Sequence, residues 1–217
     1  MNIQVIGKIE LEDLIAKIRQ VPLKEHAADG SPILVYQNAS VSLRELDPNE
    51  LNPTTFYLLR KNLQTQRELR QFLLDTQGID PLHMDCALQL IDQNGEQRTL
   101  MPPVVELGKR TVRYVPSAHE LTHERPTTIT VSLLNDGAHR VMLARELGET
   151  VHALYIVGVD HNHPFYAHPN AWEDIQVVDA VPATSSEKKM YSRTNCATLY
   201  RNFGVLGCGS IRHPGSK

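Results

Sequence analysis

Residues 129–159 constrain the fold more than any other stretch of the chain. Ile129 to Leu134 is an apolar, β-branched run, and Asn135-Asp136-Gly137 reads as a tight turn. His139 to Leu147 then has helical character, ended by Gly148, and Val151 to Val159 is a second apolar run. Apolar runs of strand length that do not alternate with polar residues are buried on both faces, which requires a sheet covered on each side. One helix joining two such strands therefore predicts a mixed α/β fold. A chain of 217 residues that is 41% hydrophobic has enough apolar surface to build that core.

The flanking segments give weaker signals. Leu11, Leu14, Ile15 and Ile18 fall on one face of a helix over residues 10–20, stopped by Pro22. Ile33 to Tyr36 reads as a short strand. A long helix capped by Thr54 or Thr55 is expected to run to about Asp75 and to close at Gly78. Asn94-Gly95 between Ala87–Ile91 and Arg98–Met101 is a strong hairpin signal. Val104–Leu107 and Thr111–Val115 follow as short strands, Val177–Val181 as an edge strand, and Glu187 to Asn202 as a helix capped by Ser185-Ser186. The organisation expected is a mostly helical extension over 1–80, a core over 81–183, and a C-terminal helix with a glycine-rich tail over 184–217.

The turn at 135–140 carries the chemistry. The first N–H groups of a helix lack intrahelical partners, and the helix dipole favours an anion there. Gly137 permits a left-handed backbone and close approach of a ligand. Asp136 is placed to cap the helix, or to hold a metal ion or a ribose hydroxyl. His139 and Arg140 put cations where the dipole opposes them unless an anion lies between, so Arg140 is expected to grip phosphate and to make few core contacts. His139 is expected to donate or shuttle a proton.

LLNDGAHRVMLARELGETVHALYI, preceded by Met101-Pro-Pro-Val-Val105, resembles the signature of the ParB/sulfiredoxin-like superfamily over roughly residues 100–160. The resemblance implies that Asn135, Asp136, Gly137, Ala138, His139 and Arg140 bind a nucleoside di- or triphosphate, ATP or ADP, with Mg²⁺. Sulfiredoxins carry a catalytic cysteine directly before the His-Arg pair; Ala138 stands there, so sulfinic acid repair is not expected. The partition proteins have Glu-Arg-Arg in the turn and a helix-turn-helix domain after it, for which the sequence beyond residue 160 reads as too short. The Asp-Gly-x-His-Arg turn is similar to that of the free serine kinases. What this implies is phosphate transfer to a small hydroxyl-bearing metabolite, with Arg140 offsetting transition-state charge. A nucleotide-gated binding or DNA-associated module is the alternative.

Other clusters leave several readings open. Glu120 and Glu124 lie between the strands and the turn, as general-base candidates or solvated loop charges, and Glu106 is comparable. His119-Glu120-Leu-Thr-His123 matches a zinc-protease spacing, but Pro116 and Pro126 leave only two turns for a helix that should be long. His161 and His163 follow the second buried strand, as substrate contacts, a metal pair with His168 or Asp160, or a polar loop; the metal pair would make the chain a metal-dependent hydrolase, a further alternative to the kinase reading. No resident metal is expected beyond Mg²⁺ arriving with the nucleotide. The last helix, with Lys188, Lys189, Arg193 and Arg201, is expected to present a solvated basic face, and Trp172 to stack on a base or to pack.

A net charge of −3 argues against a protein built mainly to coat nucleic acid, without excluding a local basic patch. Cys86, Cys196 and Cys208 fit neither a disulfide framework nor a thiolate zinc site. With no signal peptide and no run of membrane-spanning length, a cytoplasmic setting is expected, with a small-molecule substrate as partner.

Overall fold

A computed structural model of the chain describes residues 3–114, 125–160, 162–191 and 196–208. The fold is mixed α/β, and its centre is the pair of apolar runs. Strands β7 (Val104–Tyr114) and β8 (Arg125–Asp136) form a long antiparallel hairpin. From β8 the chain enters helix α3 (Ala138–Leu147), then β9 (Val151–Val157), which lies parallel to β7. Strand β2 (Ser40–Leu46) pairs antiparallel with β9 at one edge, and β3 (Asn52–Pro53) pairs parallel with β8 at the other. The five-stranded order is β2-β9-β7-β8-β3.

Alternation along these strands feeds two apolar layers. Val104, Leu133, Leu154 and Ile156 pack with Leu14 and Ile18 of α1 (Leu11–Arg19) and with Phe165 and Phe203. Val105, Leu134, Ala153 and Tyr155 face the opposite way, toward Val141 and Met142 of α3, Leu63 of α2 (Arg60–Gln77) and Trp172. Trp172 packs, its indole N–H donating to the Pro48 carbonyl at 2.9 Å. A third layer sets Leu69 and Leu73 of α2 against Leu88, Leu90 and Leu100 of a small antiparallel sheet, β1-β5-β6. Its strands are β1 (Ile3–Ile9), β5 (Ala87–Asp92) and β6 (Gln97–Leu100), and the Asn94-Gly95 hairpin joins the last two. Among the described residues no helix is long and apolar enough to cross a membrane.

Several local expectations are corrected. Only the inner end of β8 is shown buried on both faces, with Leu133 in one apolar layer and Leu134 in the other, and there too it gains β3 as a second neighbour. Thr127 to Thr130 are exposed on the outer, two-stranded part of the hairpin. Residues 33–36 do not pair as a strand but lead into a turn at 35–38 that buries Val35 and Tyr36. Helix α2 starts at Arg60, not at Thr54 or Thr55, since β4 (Tyr57–Leu59) is held parallel to β10 (Gln176–Val178). The Thr54 hydroxyl donates to the Leu134 carbonyl instead. Residues 1–80 supply α1 and α2 but also β1 to the small sheet and β2 and β3 to the central one. Within the described residues of the expected last helix the chain forms α4 (Ser185–Lys188), opened by a Thr184–Glu187 capping box, and a 3-10 turn at Cys196–Leu199.

This half-covered hairpin predicts a contrast in stability. Leu154→Ala, at the centre of the sheet, should lower the unfolding free energy by roughly 2–5 kcal/mol. Ile129→Ala, on the exposed outer hairpin, should change it by less than about 0.5 kcal/mol. Denaturant titration followed by circular dichroism checks both.

Candidate functional site

The turn between β8 and α3 is built around one glycine. Gly137 has φ +88°, and a Cβ there would lie 2.9 Å from Pro103 Cβ and 3.0 Å from its Cα. Both the backbone region and the space exclude a side chain. No side chain caps α3, so Asp136 does not play the capping role expected of it. Its carboxylate stands 3.8 Å from Arg140 Nη2 instead. Ala138 and His139 begin the helix and line a cavity of about 490 Å³, within the ~300–1,000 Å³ range of small-molecule pockets.

The two cationic residues differ from expectation in instructive ways. Arg140 is only 6% exposed, and its Nη1 donates to the Met101 carbonyl. It therefore serves the fold as well as the turn. His139 Nε2 accepts the Leu59 N–H at 3.1 Å, which leaves the ring proton on Nδ1. Burial, followed by the Arg140 charge, lowers its pKa to about 4. The ring is a neutral hydrogen-bond donor at pH 7, not a proton shuttle.

Sequence reasoning missed most of the opposite wall. Asn62, Thr65 and Gln66 of α2 line the cavity, together with Asp92, Glu96 and Arg98 around the β5–β6 turn. Positions 62, 65 and 66 share one helical face, the signal that periodicity offered. Arg98 pairs with Glu96 at 2.9 Å, and Asp92 accepts the Asn94 and Glu96 N–H groups. Cys208, from the glycine-rich tail, also reaches this cavity. Burial and then the Asp136 charge push its thiol up to about 12, so it is a protonated thiol at neutral pH and a poor nucleophile.

A buried polar chain starts from the same turn. Asn135 Nδ2 donates to Tyr36 Oη at 2.8 Å, and Tyr36 Oη donates to Glu106 Oε2 at 2.8 Å. Arg201 grips Glu106 with two bonds, Nε to Oε2 at 3.1 Å and Nη2 to Oε1 at 2.8 Å. Glu106 is thus a structural partner and not a free base, and Arg201, 0% exposed, is not on a solvated face. Arg201 also donates to the His163, Pro164 and Leu199 carbonyls.

His163 does not join the turn. Its Nδ1 lies 3.2 Å from Asp160 Oδ2, and with Glu106, Lys109 and Val157 it lines another cavity of about 620 Å³ beside the first half of β7. Glu120, Glu124 and His161 lie outside the described residues.

Two tests follow. His139, neutral when folded, carries a proton more readily in the unfolded chain, where its pKa is near 6.5. Its contribution is complete above pH 6.5 and is lost as pH falls toward 4, by about 3 kcal/mol at most. His139→Gln should flatten stability over that window in pH-dependent unfolding. Glu106→Gln and Arg201→Met should each cost roughly 3–5 kcal/mol by stranding a buried charge. The double variant should lose far less than their sum, as a double-mutant cycle would show.

A family model described as the ParB CE domain matches residues 13–177, most of the chain including the whole turn. No curated protein and no solved structure matches it.

Proposed function

The chain belongs to the ParB CE domain family, and from that premise we propose that its 490 Å³ cavity binds a nucleoside di- or triphosphate whose terminal phosphoryl group passes to a small hydroxyl-bearing metabolite. The observation that carries this reading is the uncapped start of α3 beside a glycine with no room for a Cβ. Such a cradle offers backbone N–H groups and the positive end of a dipole to phosphate oxygens.

The residues divide the work. The N–H groups of Ala138 and His139 and the His139 Nδ1–H are donors for phosphate oxygens. Arg140, fixed by Met101 and Asp136, supplies a positive field that favours charge building on the transferring group. Mg²⁺ fits the same wall, because Asp92 and Glu96 line the cavity and a hard cation needs only one or two carboxylates beside phosphate. Its chemistry would be charge neutralisation between phosphates. Asp136, at the turn itself, is the carboxylate for the acceptor hydroxyl's proton, with Glu120 and Glu124 as the other candidates.

Nucleotide-gated binding without transfer is the second reading, and a specific observation favours it. The chain Asn135–Tyr36–Glu106–Arg201 ties the turn to the second cavity and to the C-terminal segment, so occupancy of one region has a bonded route to the others. Phosphate transfer to hydroxyl compounds supports the first reading. Salt-dependent affinity for duplex DNA without transfer supports the second.

ATP, ADP or CTP with Mg²⁺ should raise the melting temperature, by the equivalent of about 2.7 kcal/mol at a hundred times the dissociation constant. Ala138→Asp should abolish that shift while leaving the ligand-free protein as stable or up to about 1 kcal/mol more stable, since an acid at this position complements the dipole. A nucleotide shift that survives Ala138→Asp, or no shift with any nucleotide, sinks the anion-site reading.

A further inference from the structure

The far ends of α2 and α3 converge on a cluster that the proposed function does not use. Helix α2 closes at Gly78, with Asp80 and His83 on the loop beyond; α3 closes at Gly148, with Glu149 and Thr150 leading to β9 and His152. One donor atom from each of Asp80, His83 and Glu149 lies within 4.8 Å of the other two. The His83 ring nitrogens stand 3.4 Å from Asp80 Oδ2 and from Thr150 Oγ1. That is long for a hydrogen bond. It is close to the separation of about 3.3 Å between two ligands of a tetrahedral zinc ion bound at roughly 2.0–2.1 Å.

A second observation comes from the neighbouring imidazole. The His152 ring meets the His83 ring edge-on, with centroids 5.4 Å apart. His152 Nδ1 is buried without a hydrogen-bond partner, the one such side-chain atom among the described residues. An orphaned buried polar atom is unfavourable and points to a partner that the chain itself does not supply.

We propose that Asp80, His83 and Glu149 bind a divalent transition metal of the zinc class, with the His152 ring packed edge-on against His83. Mixed imidazole and carboxylate donors suit that class better than Mg²⁺ or Ca²⁺, which take oxygen ligands. Arg70 fits as an outer-shell support. Its Nε and Nη2 hold Asp80 at 3.0 and 2.7 Å, and Nη2 reaches Glu149 Oε2 at 2.7 Å, leaving Glu149 Oε1 for the ion. Hydrogen-bond donors behind ligating carboxylates orient them in this way. Two carboxylates and one guanidinium leave a net negative site, which attracts a divalent cation. The ion would join the loop after α2 to the segment that leads from α3 into β9, a structural role that departs from the expectation of no resident metal.

The test uses the full chain, stripped with chelator and titrated with Zn²⁺ against a fluorescent indicator, with melting curves alongside. The expected result is one Zn²⁺ per chain, a rise in melting temperature, and at least a tenfold loss of affinity in both His83→Gln and Glu149→Gln. His83 is partly exposed, so its variant should fold, and the metal-free melting curve verifies that. His163→Ala should bind as the unsubstituted protein does. Failure to bind Zn²⁺ overturns the proposal, as does binding that His83→Gln and Glu149→Gln leave intact or that His163→Ala removes. None of these outcomes depends on nucleotide binding, so the site stands or falls separately from the phosphate reading.

Discussion

The bidentate contact between Glu106 and Arg201 is the interaction on which the rest of the architecture leans. Both side chains are almost wholly buried, at 3% and 0% exposure. Removing two charges from water is costly, and their attraction offsets that cost only when the remaining donors and acceptors are also satisfied. Here Tyr36 completes the carboxylate, and the carbonyls of His163, Pro164 and Leu199 complete the guanidinium. One ion pair therefore fixes four separated segments: the turn at Tyr36, strand β7, the loop after β9, and the C-terminal strap. Among its described residues the strap has only short 3-10 turns of its own. Its position follows from the pair, from backbone bonds to Lys24 and Glu25, and from the Thr99 N–H bonded to the Gly207 carbonyl. Cys208 reaches the first cavity as a consequence.

The start of α3 presents a different balance. Two basic residues in the first turn of a helix oppose its dipole. The conflict is reduced in two ways without any ligand: His139 is held neutral by burial and by the Leu59 N–H it accepts, and Arg140 is partnered by Asp136 and the Met101 carbonyl. The dipole remains uncapped by any side chain. A helix end with its cations restrained and its N–H groups lining a cavity is suited to an anion, whatever the remainder of the ligand is.

Much of this was legible in the sequence, and the misses have physical causes. The strand–turn–helix–strand at 129–157 could be read because apolar runs, Gly137 and Gly148 all give the same answer locally. Strand β2 could not, since SVSLREL lies at a sheet edge and carries only a weak alternation. Ile33–Tyr36 looked like a strand because short apolar runs report burial, not pairing. The site was half visible: the turn is contiguous, whereas Asn62, Arg98 and Cys208 reach its cavity from three distant segments. Glu106 and Arg201 were misjudged for a related reason. A charged residue in a sequence is ordinarily at the surface, and only the partner 95 positions away reverses that inference.

The position of Asn135 then sets a condition on any ligand at the turn. Its amide nitrogen is committed to Tyr36, and Tyr36 is committed to Glu106. A ligand that leaves this amide in place binds a preformed site and alters nothing beyond it. One that draws the amide toward itself must break the bond to Tyr36 and leave a buried phenol oxygen short of a donor, at a cost of about 1–3 kcal/mol. Only a difference in affinity between the two arrangements can move the equilibrium between them. The same buried chain that holds the cavity rigid thus decides which ligands act locally and which are felt at the second cavity, which Glu106 and His163 line.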